Sequence, residues 1–237
     1  MSAAPFMSLE GKRLLVVGAG SDIGQATARQ ARALGATVRG VARQPQADAA
    51  VAVADLLDDD DLKRCVRELE QPLDGMVFCI GHALLMPAHM LGRDAVRRVM
   101  EINVGSFIAV LAGLLRARKF KDGASVVALS SISAHTATEG VAPYAMSKAA
   151  LSAAVRNVAL ELQRRGIRIN AVSPAMVRTK MTAGGDVFSL DEMARERYPM
   201  GVAAPEDVAA LVLFLLSDEA RMFNGWDTLM TGGAVAI

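Results

Sequence analysis

The chain is poor in cysteine, histidine and aromatic residues, and neither sign of charge dominates. Each shortage removes a class of function. Cys65 and Cys79 are its two cysteines among 237 residues, too few for a disulfide framework or a thiolate metal cluster. Both stand in apolar or helical runs and read as inert packing residues in a reduced, cytoplasmic setting. His82, His89 and His135 share no short spacing, which makes a poor metal site, so no metal is expected. The formal net charge of +1 leaves no global field to draw in nucleic acid or an anionic membrane, and neither is expected as a partner. Residues 1–10 lack the basic region and apolar core of a signal peptide. Residues 104–115 are apolar, but fall short of the ~18 needed to span a bilayer. The basic cluster after them, Arg116, Arg118, Lys119 and Lys121, reads first as a charged helix end favoured by the helix dipole and second as a contact for an acidic partner.

What the chain does have is a globular balance, 52% hydrophobic and 22% charged, and enough length to bury a sizeable core. Short apolar runs alternate with longer amphipathic ones. Strands are expected at residues 14–17, 37–42, 75–80, 125–130, 167–172 and 228–230. Helices are expected at 23–34, 59–69, 94–117, 144–165 and 206–216. This alternation implies βαβ units, so the expected fold class is α/β: a single Rossmann-like, doubly wound parallel sheet with helices on both faces. No linker, repeat or composition break divides it, so residues 1–237 read as one domain. Residues 178–201 mix Thr, Gly-Gly, Asp, Phe and Pro and break the alternation. They read as a lid over a substrate, with a short helix at 191–197, or else as an inert surface excursion.

Two motifs carry chemistry. The run Gly18-Ala19-Gly20-Ser21-Asp22-Ile23-Gly24 follows an expected strand and opens an expected helix. Glycines let a backbone approach a pyrophosphate, and a helix N-terminus offers free N–H groups and positive potential. Asp22 is awkward beside phosphate and reads as a cap of the following helix. Tyr144 and Lys148 stand four apart, on one helix face. A nearby ammonium would lower the tyrosine pKa from its usual ~10 and make it a usable acid/base.

With Ser131 in Leu129-Ser130-Ser131-Ile132 and Asn103 in Glu101-Ile102-Asn103-Val104, the chain resembles the short-chain dehydrogenase/reductase family from about residue 9 onward. The family's glycine turn reads Thr-Gly-x-x-x-Gly-x-Gly. Here Gly18 and Gly24 match, Val17 stands for the Thr, and Asp22 for the middle Gly. The resemblance implies catalytic roles for Asn103, Ser131, Tyr144 and Lys148. Asn103 would hold a water linking Lys148 to solvent, and Ser131 would bond the substrate oxygen. Tyr144 would exchange its proton, and Lys148 would lower the Tyr144 pKa and hold the nicotinamide ribose.

The implied cofactor contacts are Gly18, Ser21, Asp22, Ile23, Gly24, Arg43, Asp55, Leu56, Ile80, Gly81, Tyr144, Lys148, Pro174, Val177 and Thr179. Arg43 follows the second strand, and Ala42 stands where NAD users of the family often carry an acid, so NADP(H) is favoured over NAD(H). His82 and His135 could line the substrate mouth. The implied activity interconverts a carbonyl and a secondary alcohol. A second reading is a dinucleotide-binding regulatory or scaffold protein with little turnover. The apolar faces of the two long helices are expected to build a homodimer or homotetramer, through Val104, Phe107, Ile108, Leu111 and Leu114 on one and Leu151, Val155, Val158 and Leu162 on the other.

Overall fold

The structure is a computed structural model that describes residues 7–183 and 197–234. Its seven strands form one all-parallel sheet in the order β3-β2-β1-β4-β5-β6-β7. The strands are β1 (Arg13–Val17), β2 (Thr37–Ala42), β3 (Val51–Val53), β4 (Leu73–Phe78), β5 (Phe120–Leu129), β6 (Arg168–Pro174) and β7 (Asp227–Met230). The helices are α1 (Asp22–Ala33), α2 (Asp59–Arg67), α3 (Arg93–Met100), α4 (Ser106–Arg116), α5 (Ala142–Leu162), α6 (Lys180–Ala183) and α7 (Pro205–Leu216). The direction of strand order reverses between β1 and β4, which opens a crevice at their carboxyl ends.

The core follows from strand periodicity. Successive side chains point to opposite faces, so Leu15 and Val17 join the cluster under α4 and α5 with Phe78, Phe107 and Leu151. Leu14 and Val16 join the cluster under α1 and α7 with Val77, Val172 and Val212. Both faces are covered, and the central strands read as continuous apolar runs for that reason.

Three features depart from expectation. A further strand, β3, pairs Gly40 with Val51. The helix expected at 94–117 is interrupted by a π-turn, Glu101–Gly105, between α3 and α4. Most of the helix residues expected to be surplus are consumed by the core: Phe107, Leu111, Leu114, Leu151 and Val155 are buried, while Ile108 stays exposed. Each of the five lies on the sheet side of its helix.

Arg93–Arg116, taken as one helix, is long and apolar enough by length and composition to cross a membrane. Interruption by a few charges hides that from a search for an unbroken apolar run. Its inner residues Val99, Phe107, Val110 and Leu114 pack into the core. The helix expected at 191–197 and most of the proposed lid lie outside the described residues.

Candidate active site

The glycine turn sits where β1 meets α1. Gly18 has φ +85°, and a Cβ there would lie 2.9 Å from the Cys79 carbonyl carbon. The turn therefore lies directly against the end of β4, and only glycine allows that approach. A Cβ on Gly24 would collide with the Gly18 carbonyl oxygen. Ser21, not Asp22, caps α1. Its Oγ accepts from the Gly24 N–H at 3.1 Å and donates to the Gly18 carbonyl at 2.8 Å. Asp22 is the first helical residue, beside Ile23, and its carboxylate turns away from the helix. Its Oδ2 accepts from the Lys180 N–H at 2.7 Å, and the Lys180 ammonium lies 3.9 Å from Oδ1. A capping hydroxyl at Ser21 left the Asp22 carboxylate available for a distant partner.

The remaining expected contacts spread along the same carboxyl edge of the sheet. Arg43 is exposed just past β2, whose last residue Ala42 is buried. The Gln46 amide, a contact that no motif in the sequence singles out, lies against the turn, 2.9 Å from where a Gly20 Cβ would stand. Asp55 is exposed and accepts from the Leu57 N–H at 3.1 Å. Leu56 points inward and is buried in the core. Ile80 and Gly81 follow β4, and a Gly81 Cβ would come within 3.3 Å of Lys148 Nζ. Beyond β6, which ends at Pro174, the buried Val177 pairs with Ala203. The Thr179 N–H donates to Thr182 Oγ1 at 2.9 Å, and that hydroxyl donates to the Val177 carbonyl at 2.8 Å.

Four further side chains converge beside the crevice. Ser131 lies two residues past the end of β5, and its Oγ accepts from the Ser133 N–H at 3.2 Å. Tyr144 and Lys148 lie one turn apart on α5, with Lys148 Nζ 5.7 Å from the Tyr144 ring centroid. Lys148 is 3% exposed and donates to the Leu129 carbonyl at 2.7 Å. Asn103 is fully buried in the π-turn. A π-turn shifts one residue out of helical register, a device common at functional sites. The Asn103 amide is satisfied by protein: Oδ1 accepts from the His82 N–H at 2.7 Å, while Nδ2 donates to the His82 carbonyl at 3.1 Å and to Ser147 Oγ at 2.8 Å. Asn103 thus ties the loop after β4 to α5, a linkage no short-range pattern in the sequence could reveal.

The electrostatics correct one expectation. Burial raises the Tyr144 pKa, and a hydrogen bond with Ser131 opposes the rise. The net shift is upward, against the expected lowering, because burial outweighs the partners of the phenol. Lys148, donating to the Leu129 carbonyl, is itself pushed down to about 8 by burial. Beneath it, burial pushes the Cys79 thiol up to about 12. Two neutral-leaning groups share one dry pocket, and each leans that way because its charged form is desolvated.

Behind this group lies a buried polar chain that the sequence reading missed. Asp227 accepts from Ser152 Oγ at 2.5 Å and meets His135 Nε2 at 2.9 Å. Ser152 and Ser130 hydroxyls stand 2.8 Å apart, and Ser130 donates to the Lys148 carbonyl at 3.1 Å. His135 is thereby anchored by β7, and His82 is placed through its backbone. The spacing of Ser152, four residues past Lys148 on α5, was the one available signal for this chain.

Residues 18–235 match the family model described as enoyl-(acyl carrier protein) reductase. The chain is 31% identical to 2,3-dihydro-2,3-dihydroxybenzoate dehydrogenase of Escherichia coli K12, covering 96% of this chain and 98% of that one. It is 31% identical to carbonyl reductase (NADPH) 2 of Sus scrofa, over 97% of this chain and 99% of the relative. Among solved structures, a short-chain dehydrogenase/reductase from Serratia marcescens BCRC 10948 superposes with a TM-score of 0.86 at 27% identity, covering 96% and 99% of the two chains. The chain belongs to the short-chain dehydrogenase/reductase family of oxidoreductases.

Proposed function

We propose that this protein is an NADP(H)-dependent oxidoreductase that interconverts a small-molecule carbonyl and a secondary alcohol, with Tyr144 as acid/base. The single observation that carries the reading is the convergence of Ser131, Tyr144, Lys148 and Asn103 beside a glycine turn that a Cβ at position 18 or 24 would fill. Those residues fit a dinucleotide: the glycine turn is tight and bare of side chain at Gly18, Gly20 and Gly24, α1 offers its N-terminus, and Arg43 stands exposed past β2. When bound, the cofactor supplies or accepts the hydride.

The chain's own groups do the rest. Ser131 holds the substrate oxygen. Tyr144 delivers its proton to that oxygen in reduction and removes it in oxidation. Lys148 carries positive charge beside them and, with the Gly81 backbone against it, bonds the ribose. Asn103 fixes the loop bearing Gly81 and His82 relative to α5. A regulatory or scaffold protein without turnover would have no use for a buried lysine on a carbonyl oxygen next to a half-buried tyrosine, so the enzyme reading is preferred. A coupled assay of NADPH oxidation across a panel of carbonyl compounds tests it. Absence of turnover on the whole panel, with NADPH bound, would favour the scaffold.

The NADPH preference rests on Arg43, on the absence of an acid at Ala42, and on the likeness to a relative named for NADPH. Arg43→Ala should weaken NADPH binding by roughly 1–3 kcal/mol, the range for a charge-assisted hydrogen bond, and leave NADH nearly unchanged. Equal affinity of the unmutated protein for both would sink the preference.

The protein assembles as a homodimer or homotetramer and works in a reduced cytoplasm. The apolar surface that supports assembly lies away from the buried helix faces. Leu160 of α5 and Trp226 beside β7 are exposed by 65% and 62%. Gly225, next to Trp226, packs on Ala159 of α5, which brings the two apolar groups to neighbouring elements at the open edge of the sheet. Light scattering at micromolar concentration should show a dimer or larger, and a monomer would refute assembly.

A further inference from the structure

β1 and β6 are separated in the sheet by β4 and β5. Three strand intervals place them roughly 14 Å apart. Yet Asp22, at the head of the helix that follows β1, accepts a hydrogen bond at 2.7 Å from the backbone of Lys180, in the segment that follows β6. The Lys180 ammonium stands 3.9 Å from the same carboxylate. The contact therefore bridges the carboxyl edge of the sheet, over the ends of β4 and β5, where a parallel sheet takes its ligand. The bridge places a negative charge, 22% exposed, at the lip of the tight turn that Gly18 and Gly24 allow.

We propose that Asp22 is a determinant of cofactor affinity that acts against binding: its carboxylate repels the dinucleotide's diphosphate and holds the Lys180 donors that an anion at this lip would otherwise attract. This rests on the dinucleotide reading above. A purely structural role makes the opposite prediction. An acid in the first turn of α1 stabilises the helix, and the Lys180 bridge stabilises the fold, so structure alone says that removing Asp22 harms both stability and binding. Asp22→Asn and Asp22→Gly should lower the thermal midpoint and yet tighten the cofactor.

The test is titration calorimetry of NADPH and NADH into the unmutated protein and both variants, at low and at high salt, with thermal unfolding alongside. Both dinucleotides carry the diphosphate, so both should bind the variants about tenfold more tightly at low salt, the effect of one partly exposed charge nearby. The gain should shrink as salt screens it. Equal or weaker binding by the variants, or a gain that salt leaves untouched, would overturn the proposal while leaving the dinucleotide site intact. If neither the unmutated protein nor either variant bound NADPH or NADH, the dinucleotide reading itself would fall.

Discussion

Tyr144→Phe should reduce turnover by roughly 10²–10⁴-fold, the contribution of a placed proton donor, with NADPH affinity and fold unchanged. The substitution removes one oxygen from a ring that is otherwise packed in place, so position, shape and the neighbouring Lys148 are kept. The raised Tyr144 pKa sets the direction of the pH dependence. Tyr144 stays a phenol through neutral pH and beyond, so the site as built is charged with a proton. Reduction, which consumes that proton, should hold a level rate through neutrality and fall only at alkaline pH. Oxidation needs the phenolate and should rise with pH over the same range. The Ser131 hydrogen bond opposes the shift, so Ser131→Ala should move both limbs toward higher pH. Stopped assays in the two directions, with cofactor titration as control, read all of this. Near-normal turnover by Tyr144→Phe on a true substrate would place the proton elsewhere.

The parallel sheet was legible because its central strands are buried on both faces. Burial on both sides writes continuous apolar runs such as Leu14–Val17's neighbours Met76, Val77 and Phe78, or Val126 to Leu129. The strand–turn–helix context of Gly18 to Gly24 was legible because the apolar run of β1 precedes it, and the shared face of Tyr144 and Lys148 because their spacing of four is that of a helix turn. What was hidden depends on partners far along the chain. Three residues of β3 carry no usable period, and only the pairing with β2 makes them a strand. The π-turn at Asn103 disturbs the helical pattern by a single residue, too little to see among apolar neighbours. Asp22 looked like a cap because caps are local, and its true partner Lys180 is 158 residues away. The apolar residues counted as surplus were ambiguous for a plainer reason: sequence shows how wide a helix's apolar stripe is, but not how much of it the sheet will cover. The expected net lowering of the Tyr144 pKa was overturned by burial, which a sequence does not display. Spacing put the two groups together, but only the fold could show the ammonium engaged by the Leu129 carbonyl and desolvated with its neighbour.

Lys148→Met should remove turnover by a similar 10²–10⁴-fold factor, weaken NADPH, and at the same time change how stability depends on pH. The side chain is 3% exposed and its ammonium is held in the fold at a pKa of about 8 rather than the usual 10.5. Below about 8 the lysine is charged in both folded and unfolded chains, and the full cost of burying the charge is present. Between those two values the unfolded chain holds the proton and the folded chain has released it. Stability rises with pH wherever the unfolded state binds more protons, so this lysine's contribution improves across that window, by roughly 3 kcal/mol in all. Methionine has nearly the same length, carries no charge and suits a dry pocket. The variant should therefore compare best with the unmutated protein at neutral pH and lose about 2 kcal/mol of that relative standing by pH 10. Cys79 and Tyr144, whose folded pKa values are raised, act with the opposite sign. Both are present in the two proteins, so their effect largely cancels in the difference. Urea unfolding of the pair at pH 7 and pH 10 measures it. A stability difference that stays constant across that range would show that Lys148 is not held as a desolvated ammonium, and the electrostatic account of the site would fail with it.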